Sequence, residues 1–550
     1  PSLLFWSIGN EIYDTHAGSE GADTMRMLLA EVAAHDPARN GIPTLGSNYM
    51  PWENTQHCAD IIKVAGYNYG ERLYAAHHEK HPDWVIYGSE TSSIVQSRGI
   101  YHFPLSQSLL SDDDLQCSSL GNSRTSWGAE SWDVCLHIEQ RWPFTLGQYL
   151  WTGWDYIGEP TPFNKFPAKS SYFGICDLAG FPKDVYYLYQ SRWTTEPMIH
   201  IMPSDWDSWT EGETVKVYLY TNCEKMELFL NGASLGTKTK YQMDDRYRYA
   251  FDVAYAKGTL MAKGYDAGGN AVATDEVKTS TGVAAKLALS SYKPPVDVNS
   301  DDLVFITCDV LDANGVFIPS ADTVVTFTCE GGEVLGTDNG NAACVENMRG
   351  NVRSAFSGKC LCVCRHDGQT GDLVVTASAD GVEGASITVT KEAETALCDV
   401  AEDGQISVWR FKEGNNPARI VNVPHDFSIE KDFDSASAAE YEGGYLDGGE
   451  AVYETTFLVP AKLKSKRTML CFDGAYMESA VTLNGVKLGE NKNGYNPFAF
   501  DVTDKLTDGV NTLRVDVANR QPNSRWYSGS GLYRPVWLEA REKQGFAVSR

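Results

Sequence analysis

The 550-residue sequence has no apolar run of the roughly 18 residues a membrane-spanning helix needs, so no membrane span or membrane partner is expected. Basic residues are scarce: 46 Lys and Arg against 73 Asp and Glu leave a formal net charge of −27. With no basic run to offset it, such a chain repels phosphate backbones, which argues against a nucleic-acid partner. No cysteine pair or histidine stands at zinc-site spacing, and the 13 cysteines are odd in number and scattered. Cys360, Cys362 and Cys364 alternate as on one face of a strand. That pattern suits either metal binding or buried thiols, and the lack of further ligands favours thiols. Reduced thiols fit a cytoplasmic setting.

What is present is ordinary for a soluble globular protein: 42% hydrophobic and 22% charged residues, in a length that implies about three to five domains. Over the first two hundred residues, short apolar runs alternate with helical patterns. Strands are expected at 3–8, 42–46, 61–67, 84–88 and 145–151, with a helix at 23–34. These βα units read as part of a (β/α)8 TIM barrel (residues 1–202) that lacks three of its eight strands. From about Pro203 the pattern becomes all-β. A first sandwich is expected at 203–283, with strands at 215–219 and 225–230 and an Asn231-Gly232 turn. A second, immunoglobulin-like one follows at 284–391, with strands at 304–311, 323–328 and 373–377. An acidic linker (392–403) precedes a third β region (404–541) with strands at 480–483 and 512–517, and 542–550 opens a further domain.

Barrel enzymes carry their reacting groups at the C-terminal ends of the strands. Glu11 follows the apolar run 3–8, and Glu90 follows Val85-Ile86-Tyr87-Gly88. Either alone reads as a loop or helix-cap carboxylate. Together with Asn10 and the run Trp151-Thr152-Gly153-Trp154-Asp155-Tyr156, they supply two carboxyls, an amide and ring faces for a sugar. Glycosidic cleavage uses such a pair. A separation of about 5–5.5 Å gives retention through a covalent intermediate, and a wider gap gives inversion.

The run from Pro1 to Asn10-Glu11 resembles the fourth-strand acid/base motif of glycoside hydrolase family 2, and Val85 to Glu90-Thr91 resembles its seventh-strand nucleophile motif. Gln148 to Glu159-Pro160 is similar to its eighth strand, and Tyr172-Phe173-Gly174-Ile175 with residues 177–183 to the segment after it. The resemblance implies Glu11 as acid/base and Glu90 as nucleophile, with Asn10 on the sugar 2-OH and Tyr69 donating to the nucleophile. Trp151 and Trp154 become stacking platforms, Trp154 being equally readable as barrel core. To act as an acid near neutral pH, Glu11 needs a pKa well above the ordinary one. Glu159 reads as a loop residue more than as a sugar contact. Because the sequence opens at Pro1, inside this first motif, the absence of a leader peptide is uninformative.

Residues 409–538 resemble the family's N-terminal sugar-binding jelly roll, through Val423-Pro424-His425-Asp426-Phe427, Gly443-Gly444-Tyr445, Phe472-Asp473-Gly474 and Asn523-Ser524-Arg525-Trp526-Tyr527. Asp426, Arg525 and Trp526 are candidates to reach the pocket, against the alternative that Asp426 caps a turn and Trp526 fills core. In the family this domain comes first, whereas here it comes last. An incomplete barrel exposes strand edges, so residues 1–200 are expected to need further strands for activity. The resemblance implies a retaining exo-β-galactosidase acting on oligosaccharides or glycoconjugates. The alternatives are a β-glucuronidase and a non-catalytic carbohydrate-binding fragment. Glucuronidases usually carry Asn-x-Lys before the Gly-Ile segment. Here Asn164-Lys165-Phe166 lacks the final Lys, although Lys169 is near. The family often uses Mg2+ or Na+, but no metal ligand is assigned, and assembly as a homo-oligomer is left open.

Overall fold

The computed structural model describes residues 3–102, 110–118, 129–292, 303–366, 372–390, 404–459, 463 and 466–541. The expected linker at 392–403 and domain start at 542–550 lie outside the described residues. Strands β1 (Phe5–Asn10), β2 (Ile42–Ser47), β3 (Val64–Asn68), β4 (Val85–Ser92) and β5 (Thr145–Trp151) form one parallel sheet in that order. Helices Glu20–His35, Glu53–Ile62 and Tyr74–Lys80 fall between successive strands, as crossovers between parallel strands require. They pack Met25, Ala59 and Ile62 against Leu45, Tyr67 and Ile86 of the sheet.

The strand expected at 61–67 begins only at Val64. Thr55, Cys58, Ala59 and Ile62 form a buried helical face, and Lys63 ends that helix in the left-handed region. β4 runs past Gly88 to Ser92 and takes Glu90 into the strand, whereas β5 has the bounds read from its apolar pattern. Leu4, Trp6, Ile42, Leu146 and Tyr149, on the sheet and its margins, are each at least 40% exposed. Among the described residues β1 and β5 are open edges of this sheet.

The rest of the molecule is mostly β. Ile199–Met202 pairs antiparallel with Thr214–Thr221, so the first sandwich starts ahead of the break expected at 203. Ile199 and Ile201 face a core with Val217, Leu228 and Leu260 and cannot be separated from it. In the next unit eight strands from Lys286–Ser291 to Val382–Val389 share a core that includes Cys308, Cys360, Cys362 and Cys364. Here the alternating cysteines are core thiols, with the sulfurs of Cys362 and Cys364 3.5 Å apart. Finally, a six-stranded and a three-stranded sheet enclose Trp409, Tyr453, Phe472, Val515 and Leu538. No helix among the described residues is long and apolar enough to cross a membrane.

Buried ion pairs join these units. His200, on the first sandwich, reaches Asp184 of the helix Asp184–Trp193 at 2.8 Å and Asp275 at 3.6 Å, with the Tyr187 ring stacked on it. Burial opposes its charge, but the hydrogen bonds to the two carboxylates outweigh it and raise the pKa to about 9. A raised imidazole pKa stabilises fully below the ordinary 6.5, and the contribution, on the order of 3 kcal/mol, is lost as pH rises through about 9. Thermal midpoints should therefore fall between those pH values in the wild type, and the slope should flatten in His200→Gln. An unchanged slope would assign the effect to other groups.

Candidate active site

At the C-terminal ends of the parallel strands lies a cavity of about 320 Å³. Asn10, Glu11, Tyr69, Glu90, Trp151 and Glu159 line it from the sheet, and Arg525 and Trp526 line it from the last sandwich. The local backbone explains why these side chains turn inward. The pairing register slips between Ser7 and Asn10, between Tyr67 and Asn68, and between Gly88 and Thr91, where each strand reaches the cavity. Such irregularities re-aim side chains that a regular pleat would send to alternate faces. Glu11, Tyr69 and Glu159 also hold positive φ, at 48°, 54° and 45°. That conformation costs a non-glycine residue roughly 1–2 kcal/mol, so the surrounding hydrogen bonds must hold it.

A chain of amides connects the two carboxyls. Ser89 Oγ donates to Asn68 Oδ1 at 2.6 Å, and Asn68 Nδ2 donates to both Asn10 Oδ1 and Glu11 Oε1 at 3.0 Å. Asn10 Nδ2 donates to Glu90 Oε1 at 3.2 Å, and Tyr69 Oη donates to Glu90 Oε2 at 2.9 Å. With one donor on each oxygen, the Glu90 carboxylate has a fixed orientation. Burial is the main force on its protonation: it raises Glu90 to about 7 against the hydrogen bond from Tyr69, and the neighbouring charge of Glu11 raises it further. Burial and the charge of Glu90 keep the Tyr69 phenol protonated, hence a donor.

The chain is packed too closely to admit a methyl group. A Cβ on Gly46 would lie 2.7 Å from Asn10 Oδ1 and 3.1 Å from Asn68 Oδ1. Gly46→Ala should therefore displace both amides and, if the two carboxyls do the chemistry, lower kcat/KM by about 10²-fold, the cost of a misplacement of about 1 Å in positioning groups. Equal kinetics in the variant would show that the amide positions do not matter.

The other sequence-derived candidates divide. Trp151, Arg525 and Trp526 line the cavity. Trp154 does not: it is 64% exposed, neither barrel core nor part of the lining. Asp426 also lies outside the lining. Its carboxylate accepts from the backbone N–H of Ser428 and Ser530 and from Tyr527 Oη, which holds the loop that presents Trp526. Neither lysine near the Gly-Ile segment reaches the cavity. Lys165 pairs with Asp112 on the surface, and buried Lys169 donates to the carbonyl of Asn341.

Asn68 and Arg72 also belong to the lining, and nothing in their local pattern marks them as site residues. Glu159, a loop residue by its sequence context, also lines the cavity. It is held there by Tyr156 Oη at 2.5 Å and by Arg525 at 2.7 Å, and burial raises its carboxyl above the ordinary range. Asp155, in the same motif, is buried against Lys183 at 2.6 Å and accepts from the Gly174 N–H.

The chain is thus a multidomain protein, largely of β sandwiches, with a carboxylate-lined cavity at the ends of a parallel sheet. A model described as glycoside hydrolase family 2 C-terminal domain 5 matches residues 287–388, and the glycosyl hydrolase 2 galactose-binding domain-like model matches residues 436–529. The domain of unknown function DUF4982 matches residues 212–273. The chain therefore carries domains of glycoside hydrolase family 2, with the C-terminal-domain match ahead of the galactose-binding one. The β-galactosidase BoGH2A of Bacteroides ovatus is 34% identical over 433 residues, covering 71% of this chain and 50% of that protein. A putative β-glucuronidase of Formosa agariphila is 30% identical over 309 residues, covering 53% and 29%. Among solved structures, a β-glycosidase from Bacteroides vulgatus superposes with a TM-score of 0.59 at 27% identity, covering 71% of this chain and 51% of that one. The chain spans half the length, or less, of these curated relatives.

Proposed function

We propose that this chain supplies the catalytic centre of a retaining exo-β-galactosidase, with Glu11 as general acid/base and Glu90 as nucleophile. The observation that carries this reading is the amide chain that brings both carboxyls to one cavity. Glu11 protonates the glycosidic oxygen as Glu90 attacks the anomeric carbon, which gives a glycosyl-enzyme ester and releases the aglycone. Glu11, now a carboxylate, takes a proton from water, which attacks the same carbon and frees Glu90. Turnover needs the microstate with the proton on Glu11 and the charge on Glu90. The donors on both Glu90 oxygens favour that arrangement against the pull of burial. Asn10 is then placed for the sugar 2-OH, Trp151 for a sugar face, and Arg525 and Trp526 for the rim.

In this reading the parallel sheet is five strands of an eight-stranded barrel. The open edges of β1 and β5 and the exposed Leu4, Ile42 and Tyr149 support it, and closure takes three further strands from the rest of the protein or another chain. The last sandwich is the jelly roll that completes the rim of the cavity. For specificity, the galactoside reading is supported by the 34%-identical relative named a β-galactosidase and by the distance of Lys165 and Lys169 from the cavity. Paired assays on nitrophenyl β-galactoside and β-glucuronide test it: kcat/KM should favour the galactoside by at least about 10²-fold. A preference for the glucuronide would replace the galactoside reading and leave the two carboxyl roles intact.

A further inference from the structure

Arg525 and Trp526 face two cavities. Behind the catalytic one lies a second, of about 520 Å³, whose other walls include Tyr476, Tyr495, Glu440, Asn523 and Ser524. The two adjoin along the Arg525–Trp526 segment, which lines both. Two large aromatic rings stand side by side here, with Trp526 43% and Tyr495 42% exposed. Their polar atoms are already satisfied by each other, since Trp526 Nε1 donates to Tyr495 Oη at 3.0 Å. Buried Tyr476 packs edge-on against Tyr495 with ring centroids 5.2 Å apart, which fixes its tilt. Rings whose polar atoms are already paired and which stay partly exposed suit stacking against the apolar C–H face of a sugar.

We propose that this second cavity is an aglycone-side saccharide subsite, where the residues that follow the scissile galactoside bond stack on Trp526 and Tyr495. It rests on the β-galactosidase reading, and it assigns the substrate class as neutral oligosaccharides longer than a disaccharide. Neutrality follows from charge. Glu440 and Glu442 line the cavity against the single cation Arg525, which Glu159 and Glu442 already hold at 2.7 and 3.7 Å. An acidic sugar would meet two carboxylates with no free cation in the lining.

Two substrates separate this subsite from the catalytic centre: methyl β-galactoside, too short to reach it, and a neutral galactose-terminated tetrasaccharide. Tyr495 and Ser524 line only the second cavity. Tyr495→Ala, which removes the ring, and Ser524→Trp, which fills the space, should leave kcat/KM for methyl β-galactoside within about twofold and lower that for the tetrasaccharide by about tenfold. Calorimetry on Glu90→Gln, which cannot turn the tetrasaccharide over, should show binding that weakens by a similar factor when Tyr495→Ala is added. Equal effects on both substrates, or no effect on either, would overturn the subsite and leave the β-galactosidase reading standing. If no galactoside is hydrolysed but tetrasaccharide binding still depends on Tyr495, the β-galactosidase reading fails and the aglycone-side assignment fails with it, leaving a sugar-binding cavity only.

Discussion

Glu90→Ala should lower turnover of nitrophenyl β-galactoside by about 10⁴-fold or more, equivalent to at least roughly 5 kcal/mol of lost transition-state stabilisation. Azide should restore part of the rate. The vacated carboxylate space opens onto the anomeric carbon on the face that Glu90 attacks, so the rescued product is the α-glycosyl azide. Near wild-type activity in Glu90→Ala, or rescue that yields only the β-azide, would remove Glu90 from the nucleophile position. The pH profile carries the same assignment. If Glu90 attacks as the carboxylate, as proposed, then with burial raising its pKa to about 7, kcat/KM of the free enzyme should climb as pH passes about 7. A raised carboxyl pKa stabilises the fold below the ordinary 4.5 and loses that contribution as pH rises through about 7. Glu90→Gln removes the buried charge, so above pH 7 the variant should unfold at a higher temperature than the wild type even though it is inactive.

Arg98→Ala should cost about 3–5 kcal/mol of stability, the range for a buried ion pair that loses one partner. The Arg98 guanidinium is buried between the rings of Phe181 and Phe356, 5.0 and 5.5 Å from their centroids. It donates to Asp177 Oδ2 at 2.5 Å and to the carbonyls of Asn339, Phe356 and Ser357. Asp177 belongs to the parallel-sheet unit and the three carbonyls to the eight-stranded unit, so this side chain ties the two together, alongside Lys169 and Gln116, which both donate to Asn341. Burial raises the Asp177 carboxyl, and Arg98 pulls it down. Without Arg98 the acid must either stay charged and unpaired or take a proton. Arg98→Lys should not rescue, because an ammonium cannot match the planar fork that reaches all four acceptors. Differential scanning calorimetry should show a lowered midpoint, and limited proteolysis should release the 286–389 unit. A midpoint within 1–2 °C of wild type would mean that the contact is not needed for docking.

The two carboxyls at the cavity were legible because their signal is local. An apolar run that leads into Asn-Glu, and another that leads into Ser-Glu, mark the C-terminal parts of two strands without reference to the rest of the chain, although β4 runs on past Glu90 to Ser92. The bounds of β5 were legible for the same reason, while residues 61–62 misled because Ile61 and Ile62 suit a strand and a buried helix turn equally. Trp154 suited a stacking platform and barrel core equally and is neither: Trp151 ends β5 and lines the cavity, whereas Trp154 lies beyond the strand, where no periodic cue gives direction. Asp155 and Asp177 sit in motifs beside candidate catalytic residues, and their partners Lys183 and Arg98 show them to be internal struts.

Short-range pattern and composition were enough to read the succession of a βα segment and three β regions, the acidic charge, and two glutamates at the C-terminal ends of apolar runs. Tertiary structure alone decided that Asn68 links those glutamates, that Glu159 meets Arg525 across 366 residues, and that Asp426 supports a loop outside the cavity. The physical reason is that a hydrogen bond or ion pair is chosen by distance in space. Strand slippage and left-handed backbone at Glu11 and Tyr69 set those distances at positions where sequence periodicity no longer applies.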